Sequence, residues 1–110
     1  MPKSQLIYVV DDEPAIRDIL ESVLSDEGYP IITCQNSEVF YDQLKKQTPD
    51  LVLLDIWLPG TDGMAILSTL RETHPKLPVI MMSGHAGIDA AVIAIKKGAV
   101  DFMEKPLQLE

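Results

Sequence analysis

Four short, largely apolar segments in this chain each run into residues that can handle a metal or a phosphate. Leu6 to Val10 leads into Asp11 and Asp12, Leu51 to Leu54 into Asp55, Val79 to Met82 into Ser83, and Val100 to Met103 into Glu104 and Lys105. If the segments are parallel strands, their carboxyl ends share one edge, and three carboxylates, a hydroxyl and an ammonium converge there. Carboxylates about 4 Å apart repel by on the order of 4 kcal/mol in a partly exposed site, so such a cluster favours a bound cation. Oxygen donors without a His or Cys cluster select Mg2+, with Mn2+ able to substitute, over zinc. Mg2+ leaves room for a phosphoryl oxygen, Lys105 can neutralise that group from the other side, and Ser83 can donate to another of its oxygens. Phosphoryl transfer depends mostly on positioning and charge, so one nucleophile completes the set; Asp55, ending the central strand, is the candidate. Singly, an Asp-Asp pair is a turn or cap and a Lys-Pro pair a strand terminator. Together, in order and at strand ends, they favour chemistry.

Alternating helices must hold those strands. From Pro14 to Glu27, Ile16, Ile19, Leu20, Val23 and Leu24 recur at the spacing of one helical face, with Pro14 in the first turn and Gly28 as the stop. Ile31 to Gln35 reads as a strand, and Ser37 as the N-cap of a helix carrying Val39, Phe40 and Leu44. Leu58 to Gly63 has the proline and glycines of a surface loop, after which Met64, Leu67 and Leu70 begin a third helix. After Gly84-His85-Ala86-Gly87, Ile88, Val92 and Ile95 form the buried stripe of a fourth helix stopped by Gly98. Five strands alternating with four helices imply a doubly wound α/β sheet whose ligands bind beyond the strands' carboxyl ends.

The chain's 110 residues are enough for one domain with its own core, and no repeat or low-complexity tract divides it. No apolar stretch approaches the roughly 20 residues of a membrane span, and the first residues lack the apolar segment of a secretory signal. A net charge of −8 would repel nucleic acid and anionic membranes. The single cysteine, Cys34, forms no internal disulfide, fits a reducing cytoplasm, and reads as a small buried hydrophobe. The methionines at 64, 81, 82 and 103 read as core filling.

The segments Val9-Val10-Asp11-Asp12-Glu13-Pro14, Asp50 to Ile56, Leu58-Pro59-Gly60 with Asp62-Gly63, Met82-Ser83-Gly84, Lys97-Gly98-Ala99 and Lys105-Pro106 are together highly specific. Over nearly all its length the chain resembles the receiver domain of bacterial two-component response regulators. The stretches 82–87 and 99–106 look like receivers of the nitrogen-regulation NtrC and NtrX type, with Val100 standing where tyrosine is common. The resemblance implies a CheY-like (flavodoxin-like) five-stranded parallel sheet of order 2-1-3-4-5. It implies that Asp55 accepts phosphate from a sensor histidine kinase. Mg2+ is then bound by Asp12 and Asp55 directly, by Asp11 largely through water, and by the backbone carbonyl of Trp57. Ser83 and Lys105 match the phosphate-sensing hydroxyl and lysine, Phe102 takes the place of the aromatic switch residue, and Lys105-Pro106 matches a cis peptide. Phosphorylation would draw Ser83 inward, let Phe102 follow, and alter the surface of the fourth helix and fifth strand.

His85 and Trp57, each two residues beyond a site residue, are expected to overhang the phosphoryl group. Relatives of this type carry a sigma-54-interacting ATPase and a DNA-binding output domain beyond the receiver. The chain, one receiver domain over 1–110, reaches its last residue within or just before the fifth helix of the family, so an uncovered apolar face and a homodimer are expected. Three other readings compete. A pseudo-receiver would signal by binding alone, against which the intact acids, Asp55 and Lys105 argue. An aspartyl-nucleophile Mg2+ phosphohydrolase would have a second acid where Trp57 stands. A flavodoxin-like cofactor site would want glycines and hydroxyls where Asp11-Asp12-Glu13 stand.

Overall fold

A computed structural model of the chain describes residues 5–84 and 88–105. In chain order it contains β1 (Ile7–Val10), α1 (Pro14–Asp26), β2 (Ile31–Cys34), α2 (Ser37–Lys46) and β3 (Leu51–Asp55). Then come the short β4 (Trp57–Leu58) and β5 (Thr61–Asp62), α3 (Gly63–Thr73), β6 (Val79–Ser83), α4 (Ile88–Lys96) and β7 (Asp101–Glu104). The five longer strands pair in the order β2-β1-β3-β6-β7, all parallel, which is the doubly wound 2-1-3-4-5 arrangement expected. Val10 pairs with both Cys34 and Leu54, Asp55 with Met82, and Ser83 with Glu104. That register brings the carboxyl ends level, and the Cα radius of gyration is 13.0 Å.

Strand alternation divides the core into two layers. Tyr8, Val10, Val52, Leu54, Val79 and Met81 meet Phe40 of α2, Ile66, Leu67 and Leu70 of α3, and Ala94 of α4. Ile7, Val9, Leu53 and Met82 meet Leu20 of α1 on the opposite face. The Tyr8 ring stands edge-on to Phe40, and its hydroxyl donates to the carbonyls of Gln43 and Gln47, so the tyrosine closes the C-terminal end of α2. Cys34 is buried, and burial pushes its thiol up to about 11, which keeps it the inert hydrophobe expected. Met81 and Met82 are fully buried, and Met64 and Met103 pack partly buried against the two layers.

Several local expectations are corrected. Asn36, not Ser37, caps α2: its backbone is extended and its Oδ1 accepts from Val39 N at 2.8 Å, while the Ser37 hydroxyl meets Thr61 Oγ1 at 3.1 Å. The Leu58 to Gly63 loop is a tight hairpin, β4 against β5, closed by Gly60 at φ 74°. In α1, Ile19 lies 48% exposed beside the buried Leu20. The largest difference is in α4, where Val92 and Ile95 are exposed and Ala94 is buried. The helix lies on the sheet by its alanine face, whose short side chains allow close approach, and Val92, Ile93 and Ile95 turn outward. Val100 precedes the strand and is exposed too. His85, the Lys105-Pro106 peptide and the expected fifth helix lie outside the described residues. On the α1 side of the sheet, Leu51, Ile80 and Met103 are half-buried. No helix among the described residues is long and apolar enough to cross a membrane.

Candidate functional site

Each strand end delivers one component. After β1 the chain turns at Asp11, whose backbone N–H still donates to Cys34 O at 3.0 Å and whose Oδ1 accepts from Glu13 N at 2.9 Å. Arg17, one turn into α1, donates to Asp11 O at 2.7 Å and fixes the loop from below. Asp55 ends β3; its Oδ1 accepts from Trp57 N at 3.3 Å, while the Trp57 indole stands in solvent. Gly63, the first residue of α3, packs directly behind it: a Cβ there would overlap the Asp55 carbonyl oxygen and stand 2.8 Å from Ile56 Cα. Ser83 is buried at the end of β6, and its carbonyl accepts from Lys105 N at 2.9 Å. Phe102, paired with Met81, is half-buried on the same sheet face as that residue.

The Lys105 ammonium lies 2.7 Å from Asp11 Oδ2, 2.9 Å from Glu13 Oε1 and 3.4 Å from Asp55 Oδ2. Asp11 and Asp55 are buried, whereas Asp12 and Glu13 are exposed at the rim. One oxygen from each of these four acids lies within 4.8 Å of the others. Asp11 Oδ2 has no aligned hydrogen bond among the described residues and is balanced by the charge of Lys105 alone. A buried carboxylate oxygen in that condition, with only oxygen donors around it, fits a hard divalent cation.

Burial pushes Asp55 up to about 6, with the Asp11 charge adding to the effect; Lys105 and the Trp57 N–H act the other way. Burial alone would pull Lys105 down, but its contacts with Asp11 and Glu13 and the charges of Asp11 and Asp55 outweigh it and hold the ammonium above the usual lysine range. The site therefore keeps its cation at any ordinary pH and holds Asp55 as a carboxylate whose negative charge is only partly balanced.

All the strand-end residues singled out from the sequence come to this edge of the sheet. Glu13 and Gly63, present in the motifs but given no role there, and Arg17 join them. The visible signal for Glu13 was its place as the third acid in Asp11-Asp12-Glu13; for Arg17 it was one helical turn beyond that run.

Residues 7–110 match the response regulator receiver domain family. The chain is 42% identical over 106 residues to the nitrogen assimilation regulatory protein NtrX of Azorhizobium caulinodans, covering 94% of this chain and 23% of that protein. It is 41% identical over 105 residues to the DNA-binding transcriptional regulator NtrC of Escherichia coli, covering 96% of this chain and 22% of that one. It thus spans less than a quarter of the length of these curated relatives. Among solved structures, the receiver domain of NtrX from Brucella abortus superposes with a TM-score of 0.87 at 47% identity, covering 93% of this chain and 87% of that one. The beryllofluoride-activated NtrC4 receiver domain dimer gives 0.88 at 37% identity, covering 94% and 85%. Motifs, topology and relatives agree: this chain belongs to the response regulator receiver domains, of the kind found in NtrX and NtrC.

Proposed function

We propose that the domain is a phosphoacceptor switch in which Asp55 takes a phosphoryl group from the phosphohistidine of a sensor histidine kinase. The observation that carries this reading is the convergence of Asp11, Asp12 and Asp55 with the Lys105 ammonium among them, 2.7 Å from Asp11 Oδ2 and 3.4 Å from Asp55 Oδ2. Asp12 and Asp55, with Asp11 through water and the Trp57 carbonyl, would hold Mg2+, for which Mn2+ can stand in; bound there, it supplies positive charge to the phosphoryl oxygens. At neutral pH Asp55 is ionised, since burial lifts it only to about 6. An Asp55 carboxylate oxygen attacks phosphorus, the P–N bond breaks, and the imidazole leaves with the electron pair and takes up a proton. Lys105 stabilises the charge on the transferred group.

The readout follows from the sheet. Ser83 and Phe102 lie on neighbouring strands, so a hydroxyl drawn to the aspartyl phosphate opens space toward the ring, and a shift of Phe102 alters α4 and β7. In the longer protein this would control a transcription-regulating output domain, in the cytoplasm, with dimerisation through the altered surface. The domain itself signals; it turns over no external substrate and binds no nucleic acid directly.

Acetyl phosphate with Mg2+, followed by a phosphate-affinity gel, tests the assignment. A shifted band lost in Asp55→Asn is expected. A wild-type protein that never shifts is a pseudo-receiver, and multiple turnover of a phosphate ester would make it a phosphohydrolase instead.

A further inference from the structure

We propose that Glu13 is a positioning residue that holds Lys105 away from Asp55 in the resting domain and gives it up when Asp55 carries a phosphoryl group. The inference rests on the reading of Asp55 as phosphoacceptor. Glu13 occupies the N-cap of α1, where a short Ser, Thr, Asp or Asn would cap the helix, yet its side chain makes no cap bond. Its carboxylate turns away from its own helix and accepts the Lys105 Nζ hydrogen at 2.9 Å. Glu13 shares the ammonium with Asp11, whose Oδ2 lies 2.7 Å away, while toward Asp55 the distance is 3.4 Å. The Glu13 backbone is pinned by its N–H bond to Asp11 Oδ1, so the origin of the tether is fixed relative to the buried acids.

Burial decides which of the three carboxylates can let go. Asp11 is fully buried and Asp55 nearly so, and stripping the ammonium from either leaves a charge that water cannot reach. The Glu13 side chain is 57% exposed, and water replaces the lysine there at little cost. Lys105 can therefore move toward a phosphoryl oxygen on Asp55 by giving up Glu13, and Glu13 opposes that movement by the strength of one exposed, charge-assisted hydrogen bond.

Beryllofluoride at saturating Mg2+, followed by Trp57 fluorescence, tests this in wild type, Glu13→Gln, Lys105→Ala and the double variant. Glu13→Gln should tighten beryllofluoride binding about 3- to 5-fold, and in the Lys105→Ala background the same change should have almost no effect. Equal tightening in both backgrounds would mean that Glu13 acts on the anion by its charge alone, and no tightening would mean that it does not restrain Lys105; either overturns the proposal. A second readout uses metal-free protein and no phosphoryl analogue: Lys105 Nζ hydrogens, followed by NMR, should exchange with water faster in Glu13→Gln than in wild type. Equal exchange rates also overturn it. A wild-type protein that binds no beryllofluoride removes the phosphoacceptor reading, and this inference with it, which is distinct from a wild-type response that Glu13 does not modulate.

Discussion

Replacing Asp55 with Asn should make the metal-free protein more stable, and the gain should depend on pH in one direction. Folding buries the Asp55 carboxyl beside Asp11 and lifts it from 3.8 to about 6. Below about pH 4 the group is protonated in both folded and unfolded chains and contributes nothing to the balance. Between there and about pH 6 the unfolded chain ionises first, and above that range the folded protein carries a buried carboxylate it would rather protonate. The full difference corresponds to about 3 kcal/mol at about 1.4 kcal/mol per tenfold change in acidity. The value of about 6 already includes the opposing pull of Lys105, so a gain of about 2–3 kcal/mol at neutral pH is expected. Urea unfolding of wild type and Asp55→Asn in a chelator, from about pH 4 to about pH 8, measures it. The two curves should approach each other in acid and separate as pH rises. A constant offset across that range, or a variant that loses ground toward neutral pH, would refute the burial argument.

Gly63→Ala should destabilise the domain by about 1–3 kcal/mol, because the added methyl meets the Asp55 and Ile56 backbone and no flexible side chain can yield; thermal unfolding checks the loss, and a weaker Mg2+ response of Trp57 checks its location. Asn36→Ala should cost about 1 kcal/mol by urea unfolding, and Ser37→Ala less than half of that, since Asn36 supplies the cap bond to Val39. Val92→Lys or Ile95→Lys should change stability by no more than about 0.5 kcal/mol, because both side chains already face solvent.

The central strand could be read because Leu51 to Leu54 is an uninterrupted apolar run, and a strand covered on both faces is where such a run belongs. The strand order came from the family resemblance, and the carboxyl edge of a parallel sheet then gathered Asp11, Asp55, Ser83 and Lys105 without any local signal being needed. What failed was the choice between adjacent equivalents. Asn36 and Ser37 are both capping types, and only the extended backbone at Asn36 separates them. In α4 the Ile88, Val92, Ile95 stripe and the Ala90, Ala91, Ala94 stripe have helical spacing alike, and periodicity does not say which one a sheet will accept. The β4–β5 hairpin has two residues in each arm, too few to carry an alternation. Glu13 and Lys105 are 92 positions apart, so their contact exists only once β1 and β7 have taken their places in the sheet.

The placement of β7 has a consequence for motion. This edge strand has no fully buried residue, yet a cation secures the chain beyond each of its ends. Before it, the Arg71 guanidinium reaches from α3 to the carbonyls of Gly98, Pro75, His74 and Leu77. After it, Lys105 is held by Asp11 and Glu13. The first fastening touches nothing at the carboxyl edge where Asp55 lies, whereas the second consists of the groups that would change partners there under the proposed function. A span fixed at one end and releasable at the other pivots rather than slides. Amide exchange near Glu104 should therefore respond to the state of Asp55, while that near Val100 keeps its resting rate.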